Sequence, residues 1–281
     1  MLKEFNNEFI STDRLGVMPF RSHYIPFNVN DEPKYENQII DKYSSSEVIS
    51  LNGDWDFLDH PSLEDIKSID EDLPKKIDVP SCVQCRGYDY FQYINHQYPF
   101  PFNPPYVPNE NPVFHYRKSF RISILEKLFI VFEGVDSSFY LFINGNKVGY
   151  SQIAHSKSEF DITKFVKIGE NIVDVIVLKW NASSYLEDQD KFRFTGIFRD
   201  TYLLARPKKL IWDYKIESIN QEDKWFIRFT NLSEIDLQIN VNNIKNTAKP
   251  QQFVDILIEN PILWSDEKPH LYDAVISCEN E

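Results

Sequence analysis

A 281-residue chain with 42% hydrophobic residues is long enough for two packed domains and too apolar to stay disordered. Its 43 acidic residues against 30 basic ones give a formal net charge of -13, which argues against nucleic acid and anionic membrane surfaces as partners. The 15% aromatic content suits stacking on neutral, hydroxyl-rich ligands such as sugars, and equally suits a Phe-rich β-sandwich.

Residues 1–33 mix Asn, Pro and charge with single aromatics, the pattern of an extended arm. Lys3, Glu4, Glu8, Asp13 and Arg14 interrupt any signal-peptide h-region, and no apolar run approaches the roughly 20 residues that span a bilayer. Cys82, Cys85 and Cys278 are too few for a disulfide framework, so a cytoplasmic, reducing compartment is expected. Asn52-Gly53 marks a turn into a strand on which Trp55 and Phe57 share a face. The single Cys82-Val-Gln-Cys85 has no second pair and no spaced histidines, and is read as buried or half-buried free thiols rather than a zinc or redox motif. The six histidines are scattered, with no metal-binding spacing, and only His96 falls in a segment read as functional.

Between Tyr88 and Pro112 five tyrosines, three phenylalanines and six prolines interleave with asparagines. Proline removes ladder donors, so this is a long irregular loop, and its aromatic load argues against disorder; it either serves a site or caps a sheet. Strands follow at Phe114–Ile122, Lys127–Glu133, Ser138–Asn144, through Tyr150, from Ser158 and over Ile172–Trp180, with Asn144-Gly145 as a type I′ hairpin turn. Short strands without sustained helical periodicity predict an all-β sandwich. Beyond Pro207 further strands at Ile211–Ile219, Trp225–Thr230, Leu237–Val241 and Phe253–Ile258 predict a second, smaller immunoglobulin-like sandwich, giving domains 1–207 and 208–281.

One stretch, Glu187 to Asp200, fits neither a strand nor a helix: it crowds charges and aromatics around Gly196. Buried charge is costly unless paired or ligand-bound, so the stretch is either a salt-bridged corner or a site.

Several of these segments resemble the N-terminal region of the large bacterial β-galactosidases of glycoside hydrolase family 2. They are Ser50-Leu-Asn-Gly-Asp-Trp-Asp-Phe, Tyr93-Ile-Asn-His-Gln-Tyr-Pro, Asn103 to Pro112, Val148-Gly-Tyr-Ser-Gln, Glu159-Phe-Asp-Ile-Thr, Glu187 to Asp200 and Glu259 to Tyr272. The resemblance implies a jelly-roll sugar-binding-type domain followed by an immunoglobulin-like one, probed further by a (β/α)₈ barrel that carries both catalytic glutamates of a retaining hydrolase. That barrel is expected to lie outside these residues, so this chain alone is expected to be inactive and its second sandwich to lack a final strand. Asn95 matches an asparagine whose loop reaches the galactosyl subsite, and Asp190 an aspartate that contacts sugar hydroxyls and helps hold sodium. Magnesium and homo-oligomeric assembly are implied for the complete enzyme, with a terminal β-D-galactoside such as lactose as substrate. Arg193 and Arg199 are expected to compensate Asp188, Asp190 and Asp200.

Two other readings stand beside this one. In one, Asp188 and Asp190 form a hydrolytic carboxylate pair; alternate strand positions stand roughly 6.5 Å apart, but on one face they cannot flank a glycosidic bond. In the other, the chain is a free-standing carbohydrate-binding module whose loop tyrosines stack on sugar rings.

Overall fold

The computed structural model describes residues 2, 14–36, 39–95, 97–123, 126–187 and 190–281. The chain divides into two compact units, one of Met1–Met18 with Val48–Ala205, the other of Pro19–Glu47 with Arg206–Glu281. Sequence places one boundary at 207/208; the structure groups the Pro19–Glu47 arm with the later unit. Among the described residues no helix is long and apolar enough to cross a membrane.

The first unit is a jelly-roll sandwich. Its strands begin with β1 (Val48–Ser50), β2 (Gly53–His60), β3 (Lys75–Val79), β4 (Gln92–Ile94), β5 (Val113–Ile122) and β6 (Lys127–Phe132). They continue with β7 (Ser138–Ile143), β8 (Asn146–Ser151), β9 (Ser158–Asp161), β10 (Gly169–Leu178), β11 (Lys191–Arg193) and β12 (Thr201–Arg206). One sheet has the order β8-β7-β10-β5-β2-β3 and the other β9-β6-β12-β1. Successive side chains on a strand point to opposite faces, so Trp55 and Phe57 of β2 both turn inward and are fully buried. They join Tyr116, Leu141 and Val175 of the same sheet against Ile130, Phe132, Phe160 and Leu203 of the other in a single apolar core.

The turn between β7 and β8 is the expected two-residue hairpin: Asn144 and Gly145 both have positive φ, 51° and 76°. Further along β8, Gly149 is required by space rather than by φ. A Cβ there would stand 2.2 Å from the Leu15 carbonyl oxygen, because residues near Leu15 run across the strand and accept the Tyr150 N–H at 2.8 Å. The outer face of the larger sheet is also covered: Leu63, Ile66 and Ile69, from the connection between β2 and β3, pack on Val113, Tyr140, Ile176 and Leu178.

The second unit is a smaller sandwich of two three-stranded sheets. Its strands are β13 (Tyr214–Gln221), β14 (Lys224–Asn231), β15 (Leu237–Val241), β16 (Ile244–Ala248), β17 (Phe253–Ile258) and β18 (Ala274–Ser277), in the orders β13-β14-β17 and β16-β15-β18. Phe229, Leu237, Ile239, Val241 and Ile256 form its core. Strands β16 and β18 go beyond the sequence reading; β16 is short and polar, with only Ala248 buried. It is closed onto β15 by Asn242-Asn243, both at positive φ, so that Val241 pairs Ile244. Arg206 is fully buried in this unit, donating from Nε and Nη2 to the two oxygens of Glu281 at 2.8 and 2.6 Å, and from Nη2 to the Ile211 carbonyl at 2.8 Å.

Candidate functional site

The two residues singled out for a sugar, Asn95 and Asp190, are 95 positions apart in the chain and lie at one end of a short ladder of the first unit. Strands β4 and β11 pair antiparallel with Gln92 opposite Arg193, Tyr93 opposite Phe192 and Ile94 opposite Lys191. Asn95 follows Ile94 and Asp190 precedes Lys191 at the open end of that ladder, and both are exposed. The Tyr93 hydroxyl donates a hydrogen bond to Asp190 Oδ1, orienting the carboxylate. His96 and Asp188 lie outside the described residues.

Because side chains alternate, one face of this ladder is aromatic. The rings of Tyr93 and Phe192 lie 5.6 Å apart, Phe192 and Phe194 6.0 Å, and Phe91 and Phe194 6.0 Å. Phe91, Tyr93 and Phe192 are each more than half exposed, at 57%, 53% and 51%, an unusual cost in contact with water unless the face receives a partner. The other face is charged and closed. Arg193 is buried, donates to the Ser184 carbonyl at 3.1 Å and has its guanidinium 5.6 Å from the Trp180 ring. Lys191 reaches the buried Asp136 at 3.4 Å. Burial raises the Asp136 carboxyl, with Lys191 and Arg193 opposing the shift. Glu187 is raised for the same reason and accepts the Ala154 N–H at 3.1 Å.

Of the charge compensation expected of the arginines, the part that involves Asp188 lies outside the described residues. Arg193 acts on Asp136 and Glu187. Arg199 donates to the carbonyl of His155 at 3.2 Å, and Asp200 accepts from the Asn52 amide at 2.9 Å. Asp136 carries no local signal in the sequence, because Lys191 and Arg193, which act on it, come from a segment far along the chain.

The proline-rich loop is held rather than loose. Tyr185, in the single-turn helix α1 (Ser184–Glu187), is its anchor: the hydroxyl donates to the Tyr106 carbonyl at 2.6 Å and accepts the Asn103 N–H at 3.2 Å, and its backbone carbonyl accepts the Tyr98 hydroxyl at 2.8 Å. Its ring contacts Tyr98, Phe100 and Phe102 at centroid distances of 5.0, 5.6 and 5.6 Å. At the loop's end the Asn111 amide brackets the Trp180 backbone, donating to its carbonyl at 2.7 Å and accepting its N–H at 2.8 Å.

The thiol pair belongs to the packing beneath the ladder. Gln84, between the two cysteines, is buried and accepts the Thr195 N–H at 2.9 Å while donating to Asp89 at 2.8 Å. Cys82 is half-buried, its thiol pushed up to about 11 mainly by burial; Cys85 is exposed, which corrects the expectation that both are covered. An exposed carboxylate such as Asp190 is a hard oxygen donor, and its chemistry fits an alkali cation.

Residues 48–207 match the family described as glycosyl hydrolases family 2, sugar binding domain, and residues 214–281 match glycosyl hydrolases family 2. The chain is 39% identical over 300 aligned residues to a protein named beta-galactosidase from Staphylococcus xylosus, covering 100% of this chain and 29% of that protein. It is 35% identical to a beta-galactosidase of Actinobacillus pleuropneumoniae over 96% of this chain and 28% of that protein. The chain thus spans under a third of the length of these relatives. Among solved structures, a beta-glucuronidase of an uncultured Clostridium sp. superposes with a TM-score of 0.65 at 16% identity, over 93% of this chain and 45% of that one. At that identity the likeness speaks for the fold.

Proposed function

We propose, from the premise that this chain belongs to glycosyl hydrolase family 2, that it is the N-terminal part of a retaining β-galactosidase acting on terminal β-D-galactosides such as lactose. The relatives named beta-galactosidase at 39% and 35% identity support that substrate class. The observation that carries the reading is the position of Asn95 and Asp190, each one residue beyond the open end of the β4–β11 ladder, both exposed and with the carboxylate oriented by Tyr93.

In this reading the chain supplies one wall of the galactosyl subsite, and the two catalytic glutamates come from a barrel beyond these residues. Asp190 accepts hydrogen bonds from neighbouring sugar hydroxyls, for which a carboxylate has four lone-pair positions, and Asn95 both donates and accepts. Asp190 would be this chain's ligand to a sodium ion, which would supply positive charge at the site; magnesium would belong to the barrel. The aromatic face of Phe91, Tyr93 and Phe192 offers apolar surface for the pyranose ring or for the barrel. Assembly of the complete protein into a homo-oligomer is part of the same proposal.

The test is an assay of a chromogenic β-galactoside with the 281-residue chain alone and with a protein that includes the barrel. The chain alone should show no turnover, and Asp190→Asn in the longer protein should lower kcat/KM by about tenfold or more, the worth of a hydrogen bond to a charged group. Turnover by the chain alone that Asp190→Asn abolishes would overturn this reading. The exposed aromatic face favours one alternative, a free-standing carbohydrate-binding module. Calorimetric titration of the chain with galactose and lactose separates the two, since binding tighter than millimolar belongs to a module.

A further inference from the structure

The outer face of the larger sheet holds a second polar cluster, unconnected with the galactosyl proposal. His60 ends β2; His115 and Arg117 are alternate residues of β5 and so share a face; Asp174 of β10 pairs directly with Arg117. Glu71 arrives from the connection between β2 and β3. Its Oε1 lies 2.8 Å from His60 Nε2 and 3.2 Å from His115 Nδ1. The three ligand-capable atoms of His60, Glu71 and His115 all fall within 4.8 Å of one another. On the far side of the His115 ring, Nε2 stands 2.9 Å from Asp174 Oδ1, which also accepts Arg117 Nε at 2.7 Å. The remaining guanidinium nitrogens of Arg117 donate to the carbonyls of Glu71, at 2.9 Å, and Ile69.

We propose that His60, Glu71 and His115 form a binding site for a divalent transition-metal ion of the zinc type, with Asp174 and Arg117 as its outer support. Two imidazole nitrogens and one carboxylate oxygen form a familiar donor set for zinc, which leaves a fourth position for water. With metal–ligand bonds of about 2.0–2.1 Å, tetrahedral ligand atoms stand about 3.3 Å apart. The 2.8 and 3.2 Å separations of Glu71 from the two histidines need adjustments of a few tenths of an ångström, and the two imidazole nitrogens, within 4.8 Å of each other, need to close by at most about 1.5 Å.

The hydrogen-bond count points the same way. A neutral imidazole donates through one nitrogen only, yet His115 is fully buried with a carboxylate oxygen beside each. With Nε2–H given to Asp174, the Nδ1 lone pair faces the Glu71 oxygen, and a cation seated between them turns that repulsion into coordination. The carboxylate on the outer nitrogen then fixes the ring and its tautomer, the usual support of a metal-bound histidine. Charge agrees: the Glu71 and Asp174 carboxylates flank the His115 ring, the Arg117 guanidinium pairs with Asp174 and meets Glu71 only through its backbone carbonyl, and a divalent ion offsets the charge of Glu71 at a place where solvent reaches little. The ion would be structural, tying the Glu71 connection to the sheet it covers.

The site is tested by titrating the 281-residue chain, with Cys82, Cys85 and Cys278 replaced by serine to remove thiol ligands, with cobalt(II) and then zinc(II). One equivalent of cobalt should bind with a visible ligand-field band and be displaced by zinc. Zinc should raise the thermal midpoint and a chelator should reverse the rise. His60→Gln and, separately, Glu71→Gln should abolish both effects while circular dichroism shows the fold retained. Asp174→Asn should weaken the affinity by about 10- to 100-fold, as loss of an outer carboxylate does. Absence of stoichiometric binding to the folded chain, or binding unchanged in His60→Gln, would overturn the proposal and leave an ion-pair and hydrogen-bond network. Neither result depends on sugar binding, so this proposal stands or falls apart from the galactosyl one.

Discussion

Tyr93 donates its hydroxyl proton to Asp190 across a ladder only three residue pairs long. The phenol is therefore a positioning residue for the carboxylate rather than only a stacking ring. Removing it while keeping the ring isolates that role. Tyr93→Phe in the barrel-containing protein is expected to lower kcat/KM by about 2- to 12-fold, from the roughly 0.5–1.5 kcal/mol typical of one hydrogen bond. Steady-state kinetics on a chromogenic galactoside measure it, and a Tyr93→Phe value equal to wild type would remove Tyr93 from the site.

The second prediction concerns the loop's closure. Asn111 is buried and serves both the N–H and the carbonyl of Trp180, so Asn111→Ala leaves two buried backbone groups without it. The cost is about 2–6 kcal/mol at 1–3 kcal/mol per unsatisfied group. Urea unfolding followed by tryptophan fluorescence should show a lower midpoint.

A pH dependence follows from Glu47 in the second unit. Burial, and then the neighbouring Glu281 charge, raise its carboxyl from 4.5 to about 8 against the pull of Arg206. A carboxyl raised on folding binds its proton more tightly in the native state, so its contribution is complete below about pH 4.5 and is lost as pH climbs through about 8. The loss amounts to a few kcal/mol at roughly 1.4 kcal/mol per pK unit. Urea midpoints taken between about pH 5 and about pH 9 should decline in wild type, and Glu47→Gln should flatten the decline. A slope unchanged in Glu47→Gln would assign it to other groups.

Period-two patterning made the first sandwich readable. Trp55 with Phe57, the Asn144-Gly145 turn and the strands around them all express local rules that the tertiary structure obeys. In the second unit the Leu237–Val241 and Phe253–Ile258 strands were equally plain, whereas Ile244–Ala248 was not, since it is mostly exposed and carries no apolar alternation. Asn95 and Asp190 are singled out only by the family resemblance; their proximity depends on the long-range pairing of Tyr93 with Phe192, whose aromatics give no register of their own. The His60, Glu71 and His115 cluster left no trace in the sequence because its members come from a strand end, a connection and a distant strand. Linear spacing reports a metal site only when a turn or helix carries several ligands together.

The three-pair ladder also sets which changes of length the first unit can accommodate. Side chains alternate faces, so one residue inserted between Tyr93 and Asn95 would turn Asn95, and one between Asp190 and Phe192 would turn Asp190, to the side occupied by Arg193 and Lys191, separating the two. Beyond Tyr98 the chain is anchored through rings and carbonyls to Tyr185, and no ladder counts its residues. Insertions and deletions among homologues should therefore collect between Tyr98 and Asn111, while the stretches flanking Asn95 and Asp190 keep a fixed length.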